Sequence, residues 1–142
     1  MKKDYSFWVI PFYRNNNWTI DFLLINQKSD FWSFWGFPKW HPEWNETPLE
    51  SAKRELFEEV WIKEIEIIWN QTFEISYICR GKDLETLDKT VTFFVWETKD
   101  KNITIQQEEL NWYKWADFNS AQWILTHNNY KKLLQDVKNF LN

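Results

Sequence analysis

Glycine is nearly missing from this chain. It occurs twice in 142 residues, where average usage would supply roughly ten. A chain so poor in glycine has few positions that enter left-handed backbone angles freely, so turns and helix ends fall to bulkier residues. Cysteine occurs once, at Cys79, which excludes an internal disulfide framework and agrees with a cytoplasmic location. No apolar run reaches the ~18 residues of a membrane span, so no membrane association is expected. The opening MKKDYSFWVIPFYR carries Asp4 and Pro11 and no long apolar run, and does not read as a signal peptide. Surplus positive charge is lacking too. The net charge of −4 argues against a general nucleic-acid surface, so no stable nucleic-acid partner is expected. Small phosphorylated substrates stay compatible, because a metal and a few local cations can offset the acidity. With 44% hydrophobic and 27% charged residues, and no repeat, low-complexity segment or linker, the chain reads as a single globular domain over residues 1–142, acting as a monomer.

What is abundant is tryptophan, with 12 residues. Several stand where so large a side chain is out of place. Trp18 follows three asparagines, where a hairpin would want Asn-Gly. Trp44 interrupts Pro42-Glu43-Trp44-Asn45-Glu46, which otherwise reads as a polar turn.

The chain is organised around residues 36–62, GFPKWHPEWNETPLESAKRELFEEVWI. Thr47 can cap a helix, with Pro48 at its first position and Glu50 three residues after the cap, the pattern of a capping box. The helix is expected over about 48–60. Leu49, Ala52, Leu56 and Val60 recur at helical spacing on a face suited to a core. Glu55, Glu58 and Glu59 are spaced i, i+3, i+4, so three carboxylates share another face. Their mutual repulsion disfavours the helix unless a cation sits among them, and an all-oxygen carboxylate cluster suits Mg²⁺ or Mn²⁺.

This stretch resembles the Nudix box, G-x5-E-x7-R-E-U-x-E-E-x-G-U, where U is a bulky aliphatic residue. Glu46, Arg54, Glu55, Leu56, Glu58, Glu59 and Ile62 fall in register, while both glycine positions hold tryptophan, Trp40 and Trp61. Trp61 would follow the last helical turn, where glycine enters the left-handed conformation without a Cβ penalty. The resemblance implies an α/β fold, a Nudix-like α/β/α sandwich with a mixed sheet. It implies metal binding by Glu55, Glu58 and Glu59, one of which could double as base, with the backbone carbonyl of Trp40 as a further ligand. Arg54 would orient the glutamates by ion pairing, and Glu46 would be structural. A further catalytic carboxylate is expected from a loop, with Glu109 first choice and Glu108 second, against the alternative of a solvated acidic loop. Lys39 and His41 flank position 40 and could contact phosphate. Tyr77, Lys89 and Phe94 lie on strands near the expected cleft, where an aromatic could stack on a base or simply pack in the core. His127 reads as a surface residue.

The likeness extends beyond the box. Trp35-Gly36-Phe37-Pro38-Lys39-Trp40-His41-Pro42-Glu43, the Lys89–Phe94 strand and the Glu109…Tyr113-Lys114-Trp115 segment are similar to those of the asymmetric diadenosine tetraphosphate hydrolases. This implies water attack on the polyphosphate bridge of a small nucleotide, giving ATP and AMP. The runner-up is a 5′-RNA or nucleoside triphosphate pyrophosphohydrolase. If the tryptophans are genuine, a non-catalytic nucleotide-binding module becomes the alternative. Some genetic codes read UGA as glycine and others as tryptophan, and the Asn, Lys, Ile and Phe content fits an AT-rich genome. Keeping Trp35 and Trp115 and reading the other ten as glycine would restore an ordinary composition of twelve glycines and two tryptophans.

In chain order, strands are expected at 5–14, 19–27, 64–79, 89–98 and 112–116, with Trp8 a candidate glycine inside the first. Residues 28–35 and 80–88 read as loops, and Ile103 and Ile105 as a short edge strand. Asp117 or Asn119 could cap a helix to about 125. A last helix over about 128–141 would bury Tyr130, Leu133, Leu134, Val137 and Leu141.

Overall fold

A computed structural model describes residues 1–28, 33–40, 47, 50, 54, 65–81, 83–102 and 110–141. Seven strands form one mixed sheet: β1 (Lys2–Arg14), β2 (Ile20–Lys28), β3 (Ser33–Gly36), β4 (Lys39–Trp40), β5 (Ile65–Arg80), β6 (Thr86–Thr98) and β7 (Leu110–Asp117). The order is β3-β2-β1-β6-β5, with β4 also on β1 and β7 also on β2. Among the described residues, only β1 and β6 pair parallel. Two helices follow the sheet, α1 (Phe118–Ile124) and α2 (Asn128–Leu141).

The feature that shapes the molecule is a split between β1 and β2. The two strands pair only at their hairpin end, from Phe12↔Phe22 to Arg14↔Ile20. Beyond it they diverge, and residues 33–40 fill the opening: β3 pairs with β2 from Ile25↔Gly36 to Lys28↔Ser33, and β4 pairs with β1 at Phe7↔Trp40 and Trp8↔Lys39. Residues 33–36 are therefore a strand, where a loop was expected. Each diverging strand leaves an edge of unpaired backbone groups, and those groups must find partners when buried. The wedge supplies them. The amide of Val9 donates to the Pro38 carbonyl at 3.0 Å, and Gln27 Nε2, buried, donates to the Phe37 carbonyl at 3.0 Å.

The core follows from the strand sequences. In β1, Trp8, Val9, Ile10 and Phe12 are all buried, so successive side chains are covered on both faces, as a central strand of a layered α/β fold requires. Helix α2 closes one face with Tyr130, Leu133, Leu134 and Val137 buried at helical spacing, as expected, while Leu141 is half-buried beside them. Tyr130 stands at the centre of a ring cluster, with Trp8 at 5.4 Å, Phe93 at 6.1 Å and Phe37 at 6.2 Å. Rings meeting at steep angles place positive edge on negative face, which adds to the gain from burial.

Asp117 caps α1, accepting from the Ser120 amide at 2.8 Å. Hydrogen bonding from Ser120, its backbone amide first and then its side chain, holds the carboxyl below the ordinary carboxylate range. The second expected capping site also forms. The Glu50 amide donates to Thr47 Oγ1 at 3.1 Å, and that hydroxyl lies 3.1 Å from Glu50 Oε1. Glu50 and Arg54 are helical. The rest of the helix expected over 48–60, and Ile103 and Ile105, lie outside the described residues.

Candidate active site

The box begins where the wedge ends. Gly36 sits at the narrow point between β1 and β2, and a Cβ there would lie 3.4 Å from the Tyr130 ring, 3.6 Å from Phe34 and 3.7 Å from Trp8. Phe37 turns its ring fully into the core, and Pro38 accepts from β1. The backbone of Lys39 and Trp40 is then pinned along Trp8 and Phe7. The Trp40 carbonyl, expected as a metal ligand, therefore belongs to a segment anchored to the central strand. From there the chain runs to Thr47 and the cap that starts the helix.

Arg54 is half-buried in that helix and engaged with a partner. Glu46, Glu55, Glu58, Glu59, His41 and Glu109 lie outside the described residues, as do the side chains of Lys39 and Trp40. Among the described residues, no three His, Cys, Asp or Glu side chains converge on a point. The chemistry of the expected donor set, three carboxylates and a backbone oxygen, fits a hard divalent cation.

The remaining three candidates are described, and they divide between the two faces of the sheet. Tyr77 on β5 is the register partner of Lys89 on β6, and Lys89 is in turn the partner of Asp4 on β1. Lys89 Nζ lies 3.7 Å from Asp4 Oδ2, half exposed. Burial, with lesser contributions from Cys79 and Asp4, raises the Tyr77 pKa above its ordinary value. By alternation, Lys89 shares its face with Val91 and Phe93, and Phe93 packs on Tyr130 of α2. Phe94, the partner of Val9, points to the opposite face together with Trp96. So Tyr77 and Lys89 form one patch and Phe94 is not part of it.

Two residues were not singled out from sequence. Gln27 holds the Phe37 carbonyl and so helps set the path of the wedge. Its signal was a polar residue ending an apolar strand, yet it is 4% exposed. Asp4 is the ion-pair partner of Lys89, a pairing that needs the parallel β1–β6 register to be known. Two open cavities of about 350 and 300 Å³ lie elsewhere, one beside Asp117 and Phe118, the other between β5 and α2. Neither is lined by a candidate residue.

Comparison with known proteins bears on this arrangement. The NUDIX domain family matches residues 2–137. The asymmetrical bis(5′-nucleosyl)-tetraphosphatases of Rattus norvegicus and Mus musculus are 34% and 35% identical over 129 residues, covering 89% of this chain and 84% of each relative. Among solved structures, an Ap4A hydrolase of C. elegans in a binary complex superposes with a TM-score of 0.81 at 21% identity, covering 96% of both chains. The NUDIX domain of NrtR from Shewanella oneidensis, complexed with ADP ribose, gives a TM-score of 0.76 at 14% identity, covering all of this chain and 90% of that one. These two likenesses concern the fold. With a family match spanning nearly the whole chain, the wedge that leads into the box and the capped start of its helix, this chain belongs to the Nudix family and is a hydrolase of phosphorus-containing anhydride bonds.

Proposed function

We propose that this enzyme hydrolyses dinucleoside tetraphosphates asymmetrically, with diadenosine tetraphosphate and water giving ATP and AMP. The observation that carries the reading is the pair of tetraphosphatase relatives at 34–35% identity across most of both chains. The small anionic substrate suits an acidic protein that concentrates positive charge at one bound cation. The enzyme works as a single-domain monomer in the cytoplasm.

Glu55, Glu58 and Glu59 hold Mg²⁺ or Mn²⁺, with the Trp40 carbonyl completing the set. A cation held there would offset phosphate charge and make a bound water more acidic. Arg54 keeps the carboxylates in place by ion pairing. Lys39 and His41 hold phosphate oxygens, and one glutamate, from the box or Glu109, accepts the proton of the attacking water. Tyr77 and Lys89 hold the nucleotide on the α2 face. Phe94 acts from the other face, as a packing residue beside the central strand β1.

The test is a product analysis with Mg²⁺ on diadenosine tetraphosphate. ATP and AMP in equal amounts are expected, from the chain as written or from its Trp40→Gly, Trp44→Gly, Trp61→Gly form; two ADP, or no turnover by either form, would refute the assignment. Turnover confined to nucleoside triphosphates or 5′-triphosphorylated RNA would replace it with a pyrophosphohydrolase. A Glu58→Gln variant should lose about 100-fold or more in kcat with an unchanged melting temperature. Chelation should abolish activity and added Mg²⁺ or Mn²⁺ should restore it.

A further inference from the structure

Twelve tryptophans beside two glycines is a pattern that hydrolysis does not explain. The structure sorts those tryptophans by whether their surroundings use an indole. Trp115 is used: it is half-buried, its Nε1 donates to the Lys101 carbonyl at 3.2 Å, and its ring meets Tyr13 edge-on at 6.5 Å. Trp35 is half-buried and packs against the core. Trp8 is also used, buried edge-on to Phe93 and Tyr130.

Trp18 is different. The hairpin joining β1 and β2 turns through Asn16, Asn17 and Trp18. The Trp18 amide donates to the Asn15 carbonyl at 2.9 Å, and the Asn15 amide to the Thr19 carbonyl at 2.8 Å. Asn17 Oδ1 accepts from the Thr19 amide at 3.2 Å, and Asn15 Nδ2 donates to Thr19 Oγ1 at 3.0 Å. This is a tight turn followed by a bulge whose residue must be left-handed, the position glycine fills in such loops. Trp18 is held there at φ 69°, and its side chain is 77% exposed. The indole therefore meets a backbone penalty and gains little burial in return. Leu84 occupies the matching place in the β5–β6 turn at φ 62°, so a side chain can be forced into this conformation. The left-handed angle alone does not identify a glycine.

Trp96 supplies the independent observation. It lies in β6 at 0% exposure, and its Nε1 has no hydrogen-bond partner among the described residues. A buried indole N–H normally finds one. The β5 register breaks between Ile67, its cross-strand partner, and Thr72. A residue without a side chain would present no orphaned donor beside that bulge. Trp112 and Trp123 are 62% and 88% exposed, against the habit of a residue that is highly buried on average.

We propose that Trp18, Trp40, Trp61 and Trp96 stand where the protein made in its own cell carries glycine, their codons being UGA read as glycine, while Trp35 and Trp115 are true tryptophans. Trp40 and Trp61 join the set from the spacing of the box, Trp18 and Trp96 from the structure. The inference does not depend on the substrate. Its consequence is that the active enzyme is the glycine form.

Codon sequence and protein mass decide it together. UGA at codons 18, 40, 61 and 96 and UGG at 35 and 115 are expected, and peptides of the native protein spanning 18 and 96 should carry the mass of glycine. UGG at 18 and 96, or the mass of tryptophan in the native peptides, overturns the proposal. A recombinant protein bearing Trp18→Gly alone, which relieves the φ of 69° and gives up little burial, should melt about 3 °C or more above the chain as written. A lower melting temperature for Trp18→Gly counts against the proposal whatever substrate is turned over.

Discussion

Replacing Phe37 with alanine removes the ring that fastens the wedge to the core. Phe37 is fully buried, with Phe93 at 6.1 Å, nearly perpendicular, and Tyr130 at 6.2 Å. Burying a phenylalanine side chain contributes about 1.5–3 kcal/mol, and each steep aromatic pair adds about 0.5–1.5 kcal/mol. The neighbours are held by a seven-stranded sheet on one side and α2 on the other, so the vacated space cannot collapse fully. A loss of about 3–5 kcal/mol is expected. That is a large share of the 5–15 kcal/mol typical of a domain. With a urea slope near 2 kcal/mol/M, the midpoint should fall by roughly 2 M. Urea unfolding followed by far-ultraviolet circular dichroism measures it. Phe37→Leu, which keeps most of the volume, should recover more than half of the loss. The same variant tests the link to the site, because residues 39–40 reach β1 through this anchor. Folded Phe37→Ala protein should hydrolyse its substrate more slowly than the parent. A loss under about 1 kcal/mol would refute the packing argument, and undiminished turnover in a strongly destabilised variant would refute the link.

Three further outcomes follow from the geometry. Tyr77 and Tyr130 both have pKa values raised above 10.0, chiefly by burial. Above pH 10 the unfolded chain releases these protons before the native one does, so stability holds below that pH and falls as pH rises beyond it; Tyr130→Phe should flatten the alkaline fall, and an unchanged curve in pH-dependent urea titrations would contradict the assignment. Removing the α1 cap with Asp117→Ala should cost about 1 kcal/mol, seen as a lower melting temperature, whereas Asp117→Asn should retain most of it. The depressed Asp117 carboxyl makes its charge-dependent share present above pH 4 and lost as pH falls below that, so Asp117→Asn should converge with the parent in acid while Asp117→Ala stays below both. Lys89→Met breaks only a half-exposed ion pair at 3.7 Å, so stability should change by less than about 1 kcal/mol; a raised KM at constant kcat would place Lys89 against substrate, and unchanged kinetics would leave it as Asp4's partner alone.

What the sequence determined by itself was local. The α2 face of Tyr130, Leu133, Leu134 and Val137 was legible because a helix repeats its buried side every three to four residues. The caps at Thr47 and Asp117 were legible because a side-chain oxygen satisfies an amide only a few residues away. The Nudix box was legible by spacing alone, and the family it pointed to is the one that matches residues 2–137.

Tertiary structure decided whatever required residues far apart to meet. The parallel pairing of β1 with β6 joins segments more than eighty residues apart, and no local propensity encodes a partner at that distance. Residues 33–36, SFWG, carry a weak strand pattern and became β3 only because β1 and β2 diverge and leave edges to be paired. Gln27 became a buried donor because the wedge brought the Phe37 carbonyl to it. The separation of Phe94 from Tyr77 and Lys89 likewise came from register, since a shift of one residue along a strand sends a side chain to the other face of the sheet.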